Sequence, residues 1–343
     1  MKKIKLISLL LVLAIVASSV VYAGGGNRNG TAGATELLIP VGARGIAMSG
    51  ATLTGAKGVE AIYWNPANLA RTDYSTTVMF SQMSYIADIG VSYAAIGTNI
   101  EGLGALGFSI KALSMDEIAI TTVDKPDGTG QFFTPQFVTL GLTYSRLLSD
   151  RISVGVTMNY VTEKLDLVSA SGIAFNIGVA YKNLGNIDGL SFALAIKNLG
   201  PQMSYDGSAL YVKAESPDLE RTSQLYKIDV AAFELPSTLE LGVGYEFNIN
   251  ESNSLSMNTV FQNSNFYADE YKIGAEYSYD NTFFGRIGYS MLDGIETADQ
   301  VYGLTFGAGI NYNLGSSTVK IDYAFREAKF FDSNHIFAIS FGF

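Results

Sequence analysis

The sequence predicts an all-β protein: a transmembrane antiparallel β-barrel of about fourteen strands with an N-terminal plug in its lumen. Three observations favour this fold: abundant apolar residues without a long apolar run after residue 23, repeated segments of alternating polarity, and an aromatic-rich last strand. Charged residues make up only 16%, below the ~25% of typical soluble domains. Helices that span a membrane need about 20 consecutive apolar residues, so strands are the expected spanning element.

The one long apolar run lies at the N-terminus. A positively charged stretch, residues 2–5, precedes the apolar stretch 6–21, and Ala23 ends a site of small residues. This order is typical of a secretory signal, so we expect a signal peptide over residues 1–23, cleaved near Ala23. A retained anchor helix is the alternative, which the shortness of the run disfavours.

The predicted mature chain is acidic and contains no cysteine. Residues 1–23 hold three of the 22 basic residues and none of the 32 acidic ones, which leaves 19 basic residues and a net charge of −13. An acidic chain repels phosphate backbones, so nucleic acid is not an expected partner. The absence of cysteine excludes disulfides, thiolate metal sites and the lipid-modified cysteine of a lipoprotein.

From Tyr74 onward the sequence repeatedly alternates with a period of two. In Ile152–Tyr160 every second residue is large and apolar, and the residues between are Ser, Gly, Thr and Asn. Side chains of a strand point alternately to opposite faces, so each run has one apolar face. The runs are about ten residues long, which fits tilted strands that cross a bilayer. They begin near Tyr74, Val91, Leu103, Phe137, Ile152, Ile173, Leu190, Thr238, Ser254, Tyr271, Phe283, Tyr302, Thr318 and His335.

The connections between these runs alternate in length. Leu148–Asp150 and Leu314–Ser316 are tight, whereas Ala112–Gln136 and Gly200–Ser237 are long. Short periplasmic turns, long outer loops and aromatic residues at the strand ends are typical of bacterial outer-membrane barrels. We therefore expect the protein in the outer membrane of a diderm bacterium, in contact with outer-membrane lipid.

The last run is expected to close the barrel. Phe337, Ile339, Phe341 and Phe343 alternate with small residues up to the chain end. An open strand edge is not tolerated in a membrane, so this strand should pair with the first one. The same four residues are similar to the C-terminal insertion signal that the barrel-assembly machinery recognises in outer-membrane proteins.

Residues 24–72 lack the period of two and are rich in Gly, Ala and Thr. A barrel of this strand number can hold such a segment, so we expect a plug, or hatch, over 24–72 and a barrel over 73–343. Either a water-filled lumen solvates the charged residues at inward positions, or they pair with one another and with the plug. These residues are Lys182, Lys197, Glu240, Glu246, Lys272, Glu276, Arg286, Lys320, Asp322 and Arg326.

The sequence offers little for catalysis. His335 is the one histidine, and a lipase built on Ser333 and His335 would need an orienting Asn or Asp and an oxyanion site that no motif supplies. We interpret His335 as a residue of the membrane interface, next to a loop tip. The sequence thus predicts no enzyme: no catalytic residue, no cofactor and no metal ligand set.

Two stretches resemble a known family. GATELLIPVGARGIAMSGA (Gly33–Ala51) and EAIYWNPANL (Glu60–Leu69) are similar to the N-terminal region of the PorV/PorQ family, which belongs to the FadL-like barrels. The repeated KNLG at Lys182–Gly185 and Lys197–Gly200 fits the same family. The residues that carry the plug motif are Trp64, Asn65, Pro66 and Ala67.

The resemblance implies a fourteen-stranded barrel with a plug. It also implies two alternative roles. PorV and PorQ relatives serve type IX secretion and cell-surface attachment, with a large translocon barrel and the C-terminal domains of secreted cargo as partners. FadL relatives take up long-chain fatty acids or other hydrophobic molecules. Loop aromatics suit protein contact but could equally form an apolar capture groove: Phe132, Phe133, Phe137, Tyr205, Tyr211 and Tyr226. We expect the secretion role, with hydrophobic uptake as the alternative and a purely structural barrel as a third hypothesis.

Overall fold

A computed structural model of the chain describes residues 30–214 and 223–343. The predicted signal peptide, residues 1–23, lies outside the described residues. Within them, fourteen long antiparallel strands form one continuous sheet. We number them in chain order: β1 Thr76–Ser84, β2 Gly90–Ile100, β3 Gly104–Ser114, β4 Gln136–Leu147, β5 Ile152–Leu165, β6 Val168–Lys182, β7 Leu190–Leu199, β8 Thr238–Asn248, β9 Asn253–Ser264, β10 Glu270–Tyr279, β11 Phe283–Leu292, β12 Tyr302–Leu314, β13 Ser317–Ala328 and β14 Asn334–Gly342.

The sheet closes because its last strand pairs with its first. β14 runs antiparallel to β1, with Thr77 opposite Gly342 and Ser84 opposite His335. The other strands pair with their neighbours in sequence, and the β6–β7 pair completes the ring. Closure satisfies the backbone groups that lipid cannot hydrogen-bond. The predicted antiparallel barrel and its strand number are thereby confirmed.

The two faces of the wall differ in polarity, as β5 illustrates. Val156 and Met158 are exposed on the outside, whereas Thr157 between them is 1% exposed and faces the lumen. The outer face is apolar on the other strands too, with large side chains such as Phe80, Phe108 and Ile287. An apolar outer band of this kind is the surface that a transmembrane barrel presents to lipid.

The connections fall at two ends of the barrel, which we call the turn end and the loop end. At the turn end, most connections are two to four residues long, such as 148–151 and 315–316. The loop end carries the long connections 115–135 and 200–237. Each contains a small two-stranded hairpin: Ile118–Ala119 with Phe132–Phe133, and Tyr211–Ala214 with Gln224–Lys227.

The start predicted for β6 is wrong by five residues. β6 begins at Val168 rather than Ile173, and a two-residue turn at the loop end joins it to β5. The positive φ of Asp166 (50°) makes this tight turn possible. The added part of the strand reads Val-Ser-Ala-Ser-Gly. Its small and polar residues hide the alternation, because this part of the strand extends beyond the apolar band.

The apolar outer band predicts how a charge on the wall affects stability. Phe337 on β14 and Phe330 in a loop-end connection are equally exposed, 60% and 61%. Phe337→Arg should lower the free energy of unfolding by ~2–4 kcal/mol, since it places a guanidinium in hydrocarbon. Phe330→Arg should change it by less than ~0.5 kcal/mol.

The measurement is urea unfolding of the barrel refolded into lipid vesicles. Phe330→Arg is the matched control, because residue type and exposure are the same. Equal losses for the two variants would mean that the outer face of β14 does not lie in lipid.

Candidate functional site

The candidate site is the N-terminal segment, residues 30–75, with the wall residues that it contacts. Its regular elements are short: 3-10 turns Thr35–Leu38, Gly58–Glu60 and Pro66–Asn68, and helices α1 Ala43–Ala47 and α2 Ala61–Trp64. No helix of the described residues is long and apolar enough to cross a membrane. α1 packs on β11 to β14, and the Pro66–Asn68 turn packs on β4, β5 and β6. The segment therefore contacts opposite sides of the inner wall.

The Asn65–Ala67 turn sits against two glycines of the wall. A Cβ added to Gly178 on β6 would lie 2.0 Å from Asn65 Oδ1, and one added to Gly155 on β5 would lie 2.4 Å from the Pro66 carbonyl oxygen. Any larger residue at these two positions would therefore collide with the turn. The wall is shaped for the Asn-Pro-Ala motif at this point.

Side chains and backbone of the same turn are fully engaged. The Asn65 amide nitrogen donates to Leu53 O at 3.1 Å, and its oxygen accepts from the Ala67 N–H at 3.2 Å. From the wall, the Ser145 hydroxyl on β4 donates to Ala67 O at 2.8 Å and accepts from the Ala70 N–H at 3.3 Å. Asn65 and Pro66 start the 3-10 turn, as an Asn cap followed by Pro commonly does.

Trp64 of α2, the one tryptophan of the chain, is buried at 6% exposure. Its ring meets Tyr63 edge-on at 5.0 Å between centroids. Gly45 of α1 lies so close that a Cβ there would be 2.4 Å from the indole. Because no other tryptophan exists, the emission of Trp64 reports on the packing of this segment.

A network of buried ion pairs joins the segment to the wall. The Arg44 guanidinium of α1 makes two 2.8 Å hydrogen bonds to the Glu276 carboxylate on β10. Arg286 on β11 donates to the same carboxylate at 2.5 Å and to Asp322 on β13 at 2.7 Å. Arg44 also pairs with Glu60 of its own segment at 3.3 Å.

This network balances its own charge. Lys320 adds a third cation, 3.9 Å from Glu60 and 3.7 Å from Asp322, against the three carboxylates of Glu60, Glu276 and Asp322. Asp322 is 1% exposed and Arg286 4% exposed. Charges buried to this degree need partners, and removing one partner typically costs ~3–5 kcal/mol. Of the two alternatives for the inward charges, pairing is the one observed at these positions.

A second buried pair lies outside this network. Lys197 on β7 and Glu240 on β8 are 3.0 Å apart. Lys111 on β3 instead donates to backbone carbonyls of the segment, Glu36 O at 2.7 Å and Ile39 O at 3.3 Å. Both ammonium groups lie over the Tyr63 ring, 5.3 Å and 5.2 Å from its centroid.

Residues 203–205 and 233–235 of the long loop fold back onto the beginning of the segment. Gly33 N–H donates to Glu234 O at 3.2 Å, and Met203 and Phe233 exchange backbone hydrogen bonds across the loop. Met203 and Leu235 pack with Ala34 and Leu37 in one apolar cluster. The loop thus covers the segment from the loop end.

Glu36 connects the segment, the wall and this loop. It is 4% exposed, and Glu163 on β5 is 3% exposed. The Tyr205 hydroxyl of the loop donates to the Glu163 carboxylate. Burial, and then the charge of Glu163, raises the pKa of Glu36 from its ordinary 4.5 to about 8, while Lys111 opposes the shift. Tyr205, expected from the sequence as a contact aromatic, therefore has a partner within the protein.

The remaining predicted residues lie on the outer wall. His335 Nδ1 is 2.8 Å from the Tyr323 hydroxyl, on the outward face near the loop end of β14. Phe337 and Phe343 of the predicted insertion signal are exposed on the outside of β14 and at the chain end. The Phe343 carbonyl oxygen accepts hydrogen bonds from the Ser75 N–H and the Ser75 hydroxyl, both at 2.9 Å, where the N-terminal segment joins β1.

The ion network predicts the effect of neutralising Glu276. Glu276→Gln leaves Arg44 and Arg286 buried without their shared carboxylate, so it should destabilise the docked segment by ~3 kcal/mol or more. Denaturant titration followed by Trp64 emission measures the loss. Glu270→Gln on the same strand is the control, because Glu270 is partly exposed and holds one lysine at 3.2 Å. Similar midpoints for the two variants would contradict a central role for the network.

The Glu36 carboxyl predicts a pH dependence of the same transition. Its pKa is higher in the docked segment than in the unfolded chain, so the docked state binds the proton more tightly. The stabilising contribution of Glu36 is then fully present below about pH 4.5 and is lost as the pH rises through about 8, by ~1 kcal/mol or more. Glu36→Gln mimics the protonated acid and should flatten the profile. An unchanged slope in that variant would exclude Glu36 as the titrating group.

Comparison with solved structures shows the fold. The CymD monoaromatic hydrocarbon channel has 14% sequence identity and a TM-score of 0.56, over 89% of this chain and 98% of that chain. A FadL homologue of Pseudomonas aeruginosa has 12% identity and a TM-score of 0.52, over 88% and 98%. A deletion mutant of the TodX monoaromatic hydrocarbon channel has 12% identity and a TM-score of 0.51, over 88% and 97%. The barrel is therefore FadL-like.

Comparison with protein families gives the membership. No curated protein matches the chain. A model of the type IX secretion system protein PorV matches residues 24–213, and a model of the type IX secretion system membrane protein PorP/SprF matches residues 129–343. Each match covers more than half of the chain. The chain therefore belongs to the type IX secretion outer-membrane barrels that the PorV and PorP/SprF models describe.

Proposed function

We propose that this outer-membrane protein is an accessory of type IX secretion that binds the translocon, or the C-terminal domains of secreted cargo, through its loop end. Family membership supports the secretion role, and the packing of the N-terminal segment supports a role that does not pass through the lumen. The observation that carries the proposal is the charge-balanced network by which Arg44 attaches that segment to β10, β11 and β13.

In this proposal residues 24–72 act as a fixed plug. Support comes from contacts at opposite sides of the wall: Arg44 with Glu276, and the Asn65–Ala67 turn with Gly155 and Gly178. Breaking several buried ion pairs and hydrogen bonds together is costly, so passage of large molecules through the lumen is disfavoured. Binding must then use the outer surfaces.

The loop end offers such a surface. The hairpin Tyr211–Ala214 with Gln224–Lys227 pairs only within itself among the described residues, apart from the ion pair of Lys227 with Asp206. It exposes large apolar side chains that a monomer would normally bury: Tyr211, Val212, Leu225, Tyr226 and Ile228. Exposed aromatic and aliphatic groups of this kind are typical anchors of protein interfaces.

Hydrophobic uptake remains the alternative function. The likeness to hydrocarbon channels and to a FadL homologue favours it at the level of the fold. Sites for drug-sized apolar ligands measure roughly 300–1,000 Å³ and are mostly hydrophobic. The cavity beside Tyr63 has a volume of about 30 Å³ and is too small for such a ligand, but a groove of about 510 Å³ with a mostly apolar lining lies at β1, β2, β3, β13 and β14.

We also propose a route by which the protein reaches the outer membrane. Export would use the signal peptide 1–23, and the barrel-assembly machinery would recognise the last strand. The outward alternation of Phe337, Ile339 and Phe341 on β14, with Phe343 directly after the strand, supports a recognition role.

The docking proposal predicts the result of trimming one hairpin. Replacement of residues 209–228 by a short Gly-Ser linker removes the exposed apolar groups but keeps Met203, Tyr205 and Phe233, which anchor the loop to the plug. Affinity purification from gently solubilised membranes, followed by proteomics, should recover the translocon or cargo with the intact protein and lose them with this variant.

The control is a barrel trimmed at the other loop hairpin, with residues 118–133 replaced in the same way. If the partners still co-purify with the 209–228 variant at full yield, this hairpin is not the docking surface. Recovery of the intact barrel alone, with a bound acyl or aromatic ligand in native mass spectrometry, would instead favour hydrophobic uptake.

A further inference from the structure

A small, partly open cavity with several polar lining residues lies between the N-terminal segment and the inner wall of β2 to β7. Its volume is about 30 Å³, and a single water needs roughly 10–15 Å³ on such a measure, so it has room for two small groups. From the segment, Leu37, Ile62 and Tyr63 line it. From the wall come Tyr93, Ser109, Lys111, Thr139, Asn159, Asn176, Lys197 and Asn198. It is distinct from the ion network around Arg44.

Two buried hydroxyl groups of the lining are poorly satisfied by the protein. Thr139 Oγ1 has no hydrogen-bond partner, and Tyr93 Oη has only an interaction with Ser109 that falls short of hydrogen-bond geometry; their residues are 7% and 6% exposed. Leaving a buried hydroxyl unsatisfied typically costs ~1–3 kcal/mol, so a bound species is expected where two of them border one cavity.

The charges of the lining are positive. Lys197 is neutralised by Glu240 at 3.0 Å. Lys111, 5% exposed, has two backbone carbonyls as its acceptors, so its ammonium group has no carboxylate within ion-pair distance. On the segment side, burial and then the charge of Glu163 raise the pKa of Glu36, whose backbone carbonyl accepts from Lys111. A cation in this cavity would face uncompensated repulsion.

We infer that this cavity binds one small monovalent anion, of the size of chloride or formate, between the Lys111 ammonium group and the hydroxyls of Tyr93 and Thr139. The lining has a surplus of hydrogen-bond donors, since hydroxyls, lysine ammonium groups and side-chain amides all donate. An anion accepts from several of them at once, and charge-assisted hydrogen bonds are the strongest kind. The volume excludes an acyl chain.

The site exists only when the segment is docked. Tyr63 and Leu37 close the cavity from the segment side, while Lys111 and Thr139 belong to the wall. A ligand that binds only the docked state stabilises that state by mass action. The anion therefore stabilises the attachment of the plug to the barrel, and this stabilisation increases with the anion concentration.

The first experiment is denaturant titration of the full mature protein in detergent, followed by Trp64 emission. Sodium chloride, bromide and formate are compared with sodium gluconate, whose anion is too large for the cavity, at one ionic strength. The midpoint should rise with the concentration of each small anion and stay constant in gluconate. Equal midpoints in all four salts would overturn the proposal.

Variants assign the effect to the cavity. Thr139→Val removes one unpartnered hydroxyl and should abolish most of the anion dependence. Thr238→Val is the matched control, because Thr238 Oγ1 is also buried and unpartnered but does not line the cavity. An anion dependence that persists in Thr139→Val, or that is lost equally in Thr238→Val, would contradict the assignment.

Diffraction locates the ion directly. Crystals grown in bromide should give an anomalous peak between Lys111, Tyr93 and Thr139. A peak elsewhere, or water density here without anomalous signal, would show that the cavity is only hydrated and would overturn the proposal.

Discussion

Charge neutrality inside the barrel is the constraint on which the rest of this structure depends. Glu276, Arg286 and Asp322 come from neighbouring parts of the wall, and none of them could remain buried without a partner. Arg44 of the N-terminal segment supplies the second cation for Glu276. The wall and the segment therefore complete one electrostatic unit, and neither is satisfied alone.

Close packing makes this electrostatic unit possible. The segment contains many Gly and Ala residues, and the wall presents glycines where the chain turns toward it. Gly178 and Gly155 receive the Asn65–Ala67 turn, and Gly45 leaves space for the Trp64 ring. Small residues on both sides bring the backbones close enough for hydrogen bonds such as that of Ser145 to Ala67 O. Polar contacts and steric fit thus support the same docked arrangement.

The barrel could be predicted from the sequence because lipid imposes a local rule. Outward positions must be apolar, so the starts of strands such as β7 at Leu190 and β8 at Thr238 are visible as the onset of alternation. The rule fails beyond the bilayer, and for this reason the first residues of β6 were missed. The inward positions of Glu276 and Arg286 were also predictable, because every second side chain of a strand faces the lumen and the alternation shows which ones.

The partners of those charges could not be predicted. Arg44 and Glu276 are separated by 232 positions, and no spacing in the sequence connects them. The available signal was chemical: an arginine within a run of small residues, and inward charges of both signs. The same limit applies to the loop aromatics, where Tyr205 packs against Phe233 at 5.7 Å while Tyr211 is exposed. The fold of the long loop decides which of these aromatic residues are packed inside the protein and which are exposed.

We propose that the docked segment closes the lumen and that the protein works through its outer surfaces. Ion conductance of the purified barrel in planar lipid bilayers tests this claim most directly. A closed reference is available, because Ser49 Oγ and Thr305 Oγ1 are 2.8 Å apart and the chain has no cysteine, so a Ser49→Cys/Thr305→Cys pair can attach the segment covalently to β12. The account predicts that the unmodified protein shows no more steady current than the crosslinked one. A persistent open-pore current that the crosslink abolishes would contradict it.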